Sequence, residues 1–345
     1  MINFFDFYKQ FKFYFFLKKN INETKEIKKN DSLILIEYFK YKASFMPFYY
    51  FAKVLQKKHN SKLMLYLPSY PSKKLYFSVN IEKLIFFSLL NLYKLFGVEG
   101  IILPTKQNYK KEFDRIYNNL KSKKDILKIS IDNILIGDLI YDDYLRSNDC
   151  VTIAFKSEKF KLHLEKSISL YFFWKKFLKK ENVKSIINSH NTYLIGLLPR
   201  IGVYLGIPIY KVGPSNAYKV NKKHLYTFDD RKNFKKNFSL ISKKLKKKYL
   251  RLSEKNLLLQ FLGKKPNKNF IKKIIDIKKK DRKKILIASH CFNDAVHIYG
   301  DFIFNDFHEW MEFLANFSKK TEYEWYIKIH PGEYDRNIKK MEKYK

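Results

Sequence analysis

Cysteine is scarce in this sequence, and no apolar run is long enough to cross a membrane. The 345 residues contain only Cys150 and Cys291, too few and too far apart for a disulfide framework or a zinc-binding motif. The most hydrophobic segment, residues 84–93, lies between Lys83 and Lys94 and is shorter than the roughly 20 apolar residues of a membrane-spanning helix. We therefore expect a protein of a reducing cytoplasm in which this segment is a buried helix.

Arginine is scarce although the chain is strongly basic. Seven of the 70 basic residues are arginine, and the formal net charge is +37. Arginine is favoured where phosphates or bases are bound in a bidentate manner, so a surface dominated by lysine argues against nucleic acid as a partner. A basic surface still attracts anionic lipid headgroups, nucleotides and glycans. An anionic membrane surface is therefore a candidate partner.

Glycine-rich phosphate loops are missing as well. The ten glycines never fall in a GxGxxG or P-loop arrangement. A phosphate-binding site in this chain must therefore use other groups, such as cationic side chains or helix N-termini.

The N-terminal residues 1–30 are aromatic and basic. Asp6, Lys9 and Lys12 interrupt the aromatic side chains and no small-residue cleavage site follows, so we do not expect a signal peptide. Such a helix fits a membrane interface or packs on the adjoining domain, and the sequence favours neither.

Strand-like and helix-like segments alternate along the chain, which is typical of an α/β fold with a parallel sheet covered on both faces. We expect a first domain at residues 31–235, a Lys-rich helical connection at 236–280 and a further domain at 281–345. In the first domain the pattern predicts strands at Ser32–Tyr38, Lys62–Leu67, Val98–Leu103, Val183–Asn188 and Ile207–Val212, short extended pieces at Leu127–Ile131 and Asn133–Ile136, and helices at Phe45–Lys57, Ile81–Phe96, Lys110–Leu120, Ser157–Lys180 and Tyr193–Leu205.

Polar clusters follow the predicted strands near the end of the chain. The strand Lys284–Ala288 leads into His290–Asp294, and the strand Trp325–Ile329 ends at His330 and Pro331. Between them, Asn305 and Asp306 predict a helix cap, so the region reads as one βαβ unit. Ligands of such sheets bind beyond the carboxyl ends of the strands, and His330 with Lys328 two residues earlier suits a phosphate.

A similar cluster follows the predicted strand Val183–Asn188. His190 and Tyr193 lie just beyond that strand, so we expect them at the same edge of the sheet as other strand-end groups. A hydrogen-bonded structural role for His190 is equally compatible with the sequence.

Two segments resemble bacterial surface and capsular polysaccharide biosynthesis proteins. Residues 137–146, GDLIYDDYLR, resemble the GDLIYDxYLR segment of that group, and residues 290–331 resemble its C-terminal region. The second stretch is also similar to GT-B-fold transferases with an HP motif, including bacterial sialyltransferases, Kdo transferases of capsule synthesis and teichoic-acid glycerophosphotransferases.

The resemblance implies a GT-B-like fold, with two Rossmann-like domains facing a cleft. The first would hold a glycan or lipid-linked acceptor, and the second a nucleotide-activated sugar, CMP- or UDP-linked. Only residues 332–345 follow Pro331, so we expect the second domain to be incomplete. The implied donor-binding residues are Lys328, His330, Pro331 and Asn293. No tightly bound cofactor or metal is implied, because GT-B enzymes meet leaving-group charge with protein groups.

The acceptor hydroxyl needs a base, and the sequence leaves four candidates open: Asp138, Asp142, His290 and Asp294. Acceptor binding is assigned to His190, Tyr193 and Arg146.

The expected activity is a metal-independent glycosyltransferase of capsule or surface-glycan assembly, cytoplasmic and peripheral on the inner face of the bacterial cytoplasmic membrane. One alternative is a CDP-glycerol-type glycerophosphotransferase or a GT-B-type nucleotide-sugar epimerase. Another is a non-catalytic basic protein that binds polyanions or membranes.

Overall fold

The computed structural model describes residues 11–16, 18–19, 30–39, 42–71, 88–213, 216–223, 225–226, 234–261, 282–300 and 302–330. The chain divides into two compact units, the first spanning Met1–Tyr144 and Ile153–Thr227, the second Leu145–Thr152 and Phe228–Lys345. Of the expected N-terminal helix, residues 11–16 and 18–19 are described and helical. Residues 262–280 of the Lys-rich connection and the predicted site residue Pro331 lie outside the described residues.

The first unit alternates strands and helices as the sequence predicts. In chain order its elements are β1 (Leu33–Glu37), α1 (Lys42–His59), β2 (Lys62–Tyr66), α2 (Leu89–Leu95), β3 (Val98–Ile102), α3 (Lys110–Asn118), α4 (Lys123–Leu127), β4 (Ser130–Ile131), β5 (Ile134–Leu135), α5 (Gly137–Asn148), α6 (Glu158–Lys180), β6 (Val183–Asn188), a 3-10 turn (Tyr193–Gly196), α7 (Leu197–Tyr204), β7 (Ile209–Val212) and β8 (Ala217–Val220). Of the predicted helix Ile81–Phe96, residues 81–87 lie outside the described part.

The main sheet of this unit has six strands in the order β3-β2-β1-β6-β7-β8. The pairs from β3 to β7 are parallel, and β8 alone pairs antiparallel with β7. The expectation of an α/β fold with a mostly parallel sheet is therefore confirmed. The edge strand β8 is not anticipated by the sequence pattern.

The central strand β1 is buried on both faces. Its sequence LILIE has Ile34, Leu35, Ile36 and Glu37 all buried, as expected for a parallel strand covered by helices on both sides. Phe45 and Phe48 of α1 join its core on one face. A charged residue at the end of so apolar a strand is an exception that needs a partner.

Helix α6 shows how local sequence sets an element. Ser157 caps it by accepting a hydrogen bond from the backbone N–H of Phe160 at 3.2 Å, and its apolar positions, including Leu164 and Trp174, are buried. The sequence predicted both this cap and the strand β6 that follows.

Helix α5 begins at a glycine because the backbone there leaves no room for a side chain. A Cβ atom on Gly137 would lie 2.0 Å from the carbonyl oxygen of Ile126. The backbone N–H of Gly137 donates to the carbonyl of Ile129 at 3.0 Å. The GDLIYDDYLR segment is thus the start of a helix packed closely against the preceding turn.

The second unit contains α8 (Phe234–Ser239), α9 (Lys243–Phe261), β9 (Lys284–Ala288), α10 (Phe307–Ser318) and β10 (Glu324–Lys328). Strands β9 and β10 pair in parallel, so the predicted βαβ unit is confirmed. The N-cap of α10 is Asp306, which accepts from the N–H of Glu309 at 2.9 Å. Residues 145–152, the end of α5 and its following turn, belong to this unit although the sequence assigned them to the first domain.

The small sheet of the second unit is less covered than the main sheet. Leu286 in β9 is 65% exposed and Ile327 in β10 is 54% exposed, and α10 has no buried residue. Among the described residues, no helix has the length and apolar character needed to span a membrane.

Candidate functional site

The main sheet has a topological switch point between β1 and β6. From β1 the sheet continues through β2 and β3 on one side and through β6 and β7 on the other. Ligands of open α/β sheets bind in the crevice beyond the carboxyl ends of the strands at such a point. The residues that end these two strands are Glu37 and Asn188.

Glu37 is the charged centre of this edge. It is 1% exposed, and its carboxylate accepts hydrogen bonds from the backbone N–H of Ser189 at 2.6 Å and from the Ser189 hydroxyl at 2.8 and 2.9 Å. Burial raises the pKa of Glu37 to about 7, although the hydrogen bonds from Ser189 act in the opposite direction. A carboxyl group with a pKa near neutrality can exchange its proton under physiological conditions.

The Ser189 hydroxyl links Glu37 to His190. The Nδ1 atom of His190 lies 2.7 Å from the Ser189 Oγ, and the imidazole packs edge-on against the ring of Phe39 with centroids 5.7 Å apart. His190 is exposed while Glu37 is buried. The three side chains therefore form a hydrogen-bonded chain from the interior of the unit to its surface.

The loop that carries His190 is held by its own polar groups. The Asn188 side-chain amide donates to the carbonyl of His190 at 2.6 Å and to Asn191 Oδ1 at 2.7 Å. Tyr193 has a positive φ of 54°, a strained conformation for a bulky residue and one that clusters at functional sites. A Cβ on Gly196 would lie 2.7 Å from the Asn191 backbone, so the loop is tightly packed.

Two buried tyrosine hydroxyl groups interact electrostatically with Glu37. The hydroxyls of Tyr66 and Tyr93 are buried and have no hydrogen-bond partner among the described residues. Burial, and then the charge of Glu37, raise the pKa of both groups. They remain neutral at physiological pH and do not compensate the Glu37 charge.

Asp138, a candidate base, forms a buried ion pair. Its two oxygens accept from Arg200 at 2.6 and 2.9 Å, and Arg200 also donates to the carbonyl of Leu135 at 2.8 Å. This pair gives Asp138 a structural role, because loss of either partner would leave the other charge buried and unpaired.

Asp142, the second candidate base on α5, is buried. The side chain of its neighbour Asp143 is largely buried as well. Burial raises the pKa of Asp143 to about 6, with a further contribution from Asp142. Asp143 accepts from the backbone N–H of Leu194 at 3.2 Å. His163 lies 3.7 Å from it, but burial lowers the His163 pKa to about 4, so this contact is not an ion pair at neutral pH.

The second unit brings the predicted residues His290, Lys328 and His330 together at the carboxyl ends of β9 and β10. His290 and His330 have ring centroids 5.5 Å apart, and the thiol of Cys291 lies 2.9 Å from His330 Nδ1. The His330 N–H donates to Ser289 Oγ at 3.1 Å, and that hydroxyl donates to the carbonyl of Lys328 at 3.2 Å. These contacts tie the two strand ends to each other.

Other predicted site residues of this unit bind the segment 145–152. The Asn293 amide donates to Asp149 Oδ1 at 2.7 Å, and Arg146 lies 3.6 Å from Asp294. Arg146, expected to bind acceptor, is thus beside a candidate base, with both side chains nearly half exposed. Such an exposed pair contributes little to stability. Within the described residues, no group of three or more His, Cys, Asp or Glu side chains could hold a metal ion.

A shallow pocket of about 480 Å³ lies elsewhere on the first unit, lined by Tyr109, Phe172, Lys175, Lys176, Lys179 and Lys180. It lies at the end of α6, the helix that leads into the amino end of β6. The strand-end polar groups are at the opposite, carboxyl edge of the sheet, so this pocket is separate from the candidate site.

Glu37 and Ser189 were not among the predicted site residues. The available signal was the sequence LILIE itself, because an acidic residue ending a run of buried apolar residues requires compensation. The pairing with Ser189 joins residues that are far apart in the chain, so neither local sequence predicts it.

The fold and these clusters define an α/β protein with a mostly parallel sheet and polar groups beyond the carboxyl ends of its strands. Comparisons with protein-family models, curated proteins and solved structures found no match to this chain.

Proposed function

We propose that this protein is a GT-B-type glycosyltransferase of bacterial surface or capsular polysaccharide assembly. It transfers a sugar from a CMP- or UDP-linked donor to a glycan or lipid-linked acceptor. It works without a bound metal, in the cytoplasm at the inner face of the membrane, to which its net charge of +37 attracts it.

The observation that carries the proposal is the presence of a polar strand-end cluster in each unit. Glu37, Ser189 and His190 lie beyond β1 and β6, and Cys291 and His330 lie beyond β9 and β10. A transferase must hold two substrates, and the carboxyl edge of a parallel sheet is where α/β proteins hold them. One cluster for the acceptor and one for the donor meets this need.

On the donor side, His330 is the proposed phosphate contact. Cys291 and Ser289 fix the His330 ring and backbone, so its orientation does not have to be established on binding. Lys328 precedes it by two residues, and alternate residues of an extended chain share a face. The charge of Lys328 and the hydrogen bonds of both side chains stabilise the nucleotide phosphate as it leaves.

The test is binding of CMP, CDP, UDP and GDP to the wild-type protein, to His330→Ala and to the control His308→Ala, at low and high salt. His308 is a partly exposed histidine on α10 beside Glu312 and provides a matched loss of an imidazole. We expect selective binding of one nucleotide, weakened at least about tenfold by His330→Ala through loss of a charge-assisted hydrogen bond, and unchanged by His308→Ala.

Weak binding of all four nucleotides that falls with salt and ignores His330 would contradict the proposal. That result is the behaviour of a basic surface without a built site.

A further inference from the structure

We propose that His190 is the general base that deprotonates the acceptor hydroxyl, and that Glu37 and Ser189 are positioning residues that prepare it for this role. The identity of the substrate rests on the function proposed above. The hydrogen-bonded chain itself is a property of the first unit and can be measured without any substrate.

When Glu37 is ionised, its hydrogen bonds with Ser189 favour one tautomer of His190. The Ser189 hydroxyl has a single hydrogen, and its Oγ lies 2.8 and 2.9 Å from the two oxygens of Glu37. When that hydrogen is donated to the carboxylate, the Ser189 Oγ must act as acceptor toward His190 Nδ1 at 2.7 Å. The neutral imidazole then has its hydrogen on Nδ1 and a lone pair on Nε2, the tautomer required of a base.

The buried carboxylate also stabilises the product of proton transfer. Once protonated, His190 is a cation one hydroxyl group away from Glu37, which is fully shielded from water. Charges interact more strongly at such a site than in bulk solvent. The arrangement uses the logic of a catalytic triad, in which a carboxylate orients and stabilises an imidazole, with a serine hydroxyl between the two groups.

The groups that face Glu37 leave its charge available to His190. Tyr66 from β2 and Tyr93 from α2 are the phenols whose titration is coupled to Glu37, and both stay neutral at physiological pH. On the β6 side, Glu37 meets the Ser189 hydroxyl and backbone N–H. These neutral groups do not cancel the negative charge that Glu37 carries above its pKa of about 7.

The transfer step needs only the acceptor, the donor and His190. The acceptor O–H bond breaks and its proton moves to Nε2 of His190. The freed electron pair forms the new bond to the anomeric carbon of the sugar, while the bond from that carbon to the donor phosphate breaks and its electrons leave with the nucleotide. Because His190 is exposed, it returns the proton to solvent.

The first experiment is nitrogen-15 NMR of the histidine side chains as a function of pH, with the His190 signal assigned by its loss in His190→Gln. We expect the Nδ1–H tautomer in the wild type and a His190 pKa that falls by about one unit in Glu37→Gln, since a nearby carboxylate favours the imidazolium. Ser189→Ala tests the same link if Glu37→Gln does not fold. His59→Gln, at the end of α1, is the matched control and leaves the His190 signal unchanged.

The second experiment is the pH dependence of sugar transfer. We expect His190→Gln to lower kcat by about 10²-fold or more with little change in donor KM, and Glu37→Gln to move the acidic limb of the kcat/KM profile down by about one pH unit, in step with the NMR shift. His59→Gln keeps the wild-type profile.

The outcomes separate this inference from the proposed function. Transfer at the full rate by His190→Gln overturns the inference and leaves the transferase standing. An Nε2–H tautomer, or a His190 pKa indifferent to both Glu37 and Ser189, overturns the chain itself. If the NMR coupling is present but no donor is turned over, the proposed function fails, and the role of His190 in acceptor deprotonation fails with it.

Discussion

The buried pair Asp138–Arg200 gives the sharpest prediction about the GDLIYDDYLR segment. Both side chains are almost inaccessible, with 9% of Asp138 and 4% of Arg200 exposed, and the guanidinium makes three hydrogen bonds. Removing one partner leaves an uncompensated buried charge, which costs about 3–5 kcal/mol. Arg200→Met is therefore expected to lower the free energy of unfolding of the first unit by about that amount.

The double variant Asp138→Leu/Arg200→Met tests whether the loss of stability comes from leaving one buried charge without its partner. Replacing both members of a buried ion pair by apolar residues is often neutral, so we expect the double variant to recover most of the stability lost in the single one. Arg115→Met breaks an exposed pair with Glu112 on α3 and serves as the control, with an expected loss below about 1 kcal/mol.

The assay is urea unfolding followed by tryptophan fluorescence. Trp174 is fully buried in the first unit and donates to the carbonyl of Pro68 at 3.3 Å. In a background with Trp310→Phe and Trp325→Phe, it reports on that unit alone. A loss below about 1 kcal/mol for Arg200→Met, or a double variant less stable than the single one, would refute the structural role of Asp138.

Glu37, Gly137 and the exposed strands β9 and β10 can each be tested by a separate measurement. Burial raises the pKa of Glu37 from 4.5 to about 7, so the folded state binds this proton more tightly than the unfolded state. The free energy of unfolding should therefore fall by up to about 3 kcal/mol as pH rises from about 4.5 to about 7. Glu37→Gln should flatten this slope in urea titrations, and an unchanged slope would contradict the assignment. Gly137→Ala, whose Cβ would lie 2.0 Å from the Ile126 carbonyl, should cost at least about 1–3 kcal/mol in the Trp174 assay, and a neutral effect would be incompatible with the packing at the start of α5. Hydrogen exchange should be at least about tenfold faster in β9 and β10 than in β1 and β6, because Leu286 and Ile327 are exposed and poorly covered strands open at lower free energy; equal protection would contradict it.

Much of the fold could be predicted because the elements follow from local pattern. The serine cap and apolar periodicity of α6 and the apolar run of β6 are written in contiguous residues, so both were predicted correctly. The βαβ unit of β9, α10 and β10 was predicted for the same reason. Strand β8 was not, because its antiparallel pairing with β7 depends on a tertiary neighbour rather than on its own sequence.

The site was less predictable because its key contacts join distant residues. Arg200 donates hydrogen bonds to Asp138, which lies 62 residues away in the sequence. Ser189 donates to Glu37, which lies 152 residues away. The sequence identified polar strand ends, which is why His190, His290 and His330 were named. It could not identify which carboxylates are committed to partners, since that depends on the strand order.

The end of α5 does not follow the predicted division between acceptor and donor residues. Arg146 was assigned to the acceptor side, but residues 145–152 pack with the second unit, where Arg146 meets Asp294. A helix that runs from one compact unit into the next has no distinctive local sequence signal, so this boundary was not predicted.

The most direct test of the proposed transferase is release of free nucleotide from CMP- and UDP-linked sugars, measured by chromatography with mass-spectrometric detection of the glycosylated product. We predict that the wild-type protein turns over donors of one nucleotide class, that His330→Ala loses this activity, and that His308→Ala retains it. No nucleotide release and no glycosylated product from any donor, or turnover unaffected by His330→Ala, would contradict the account.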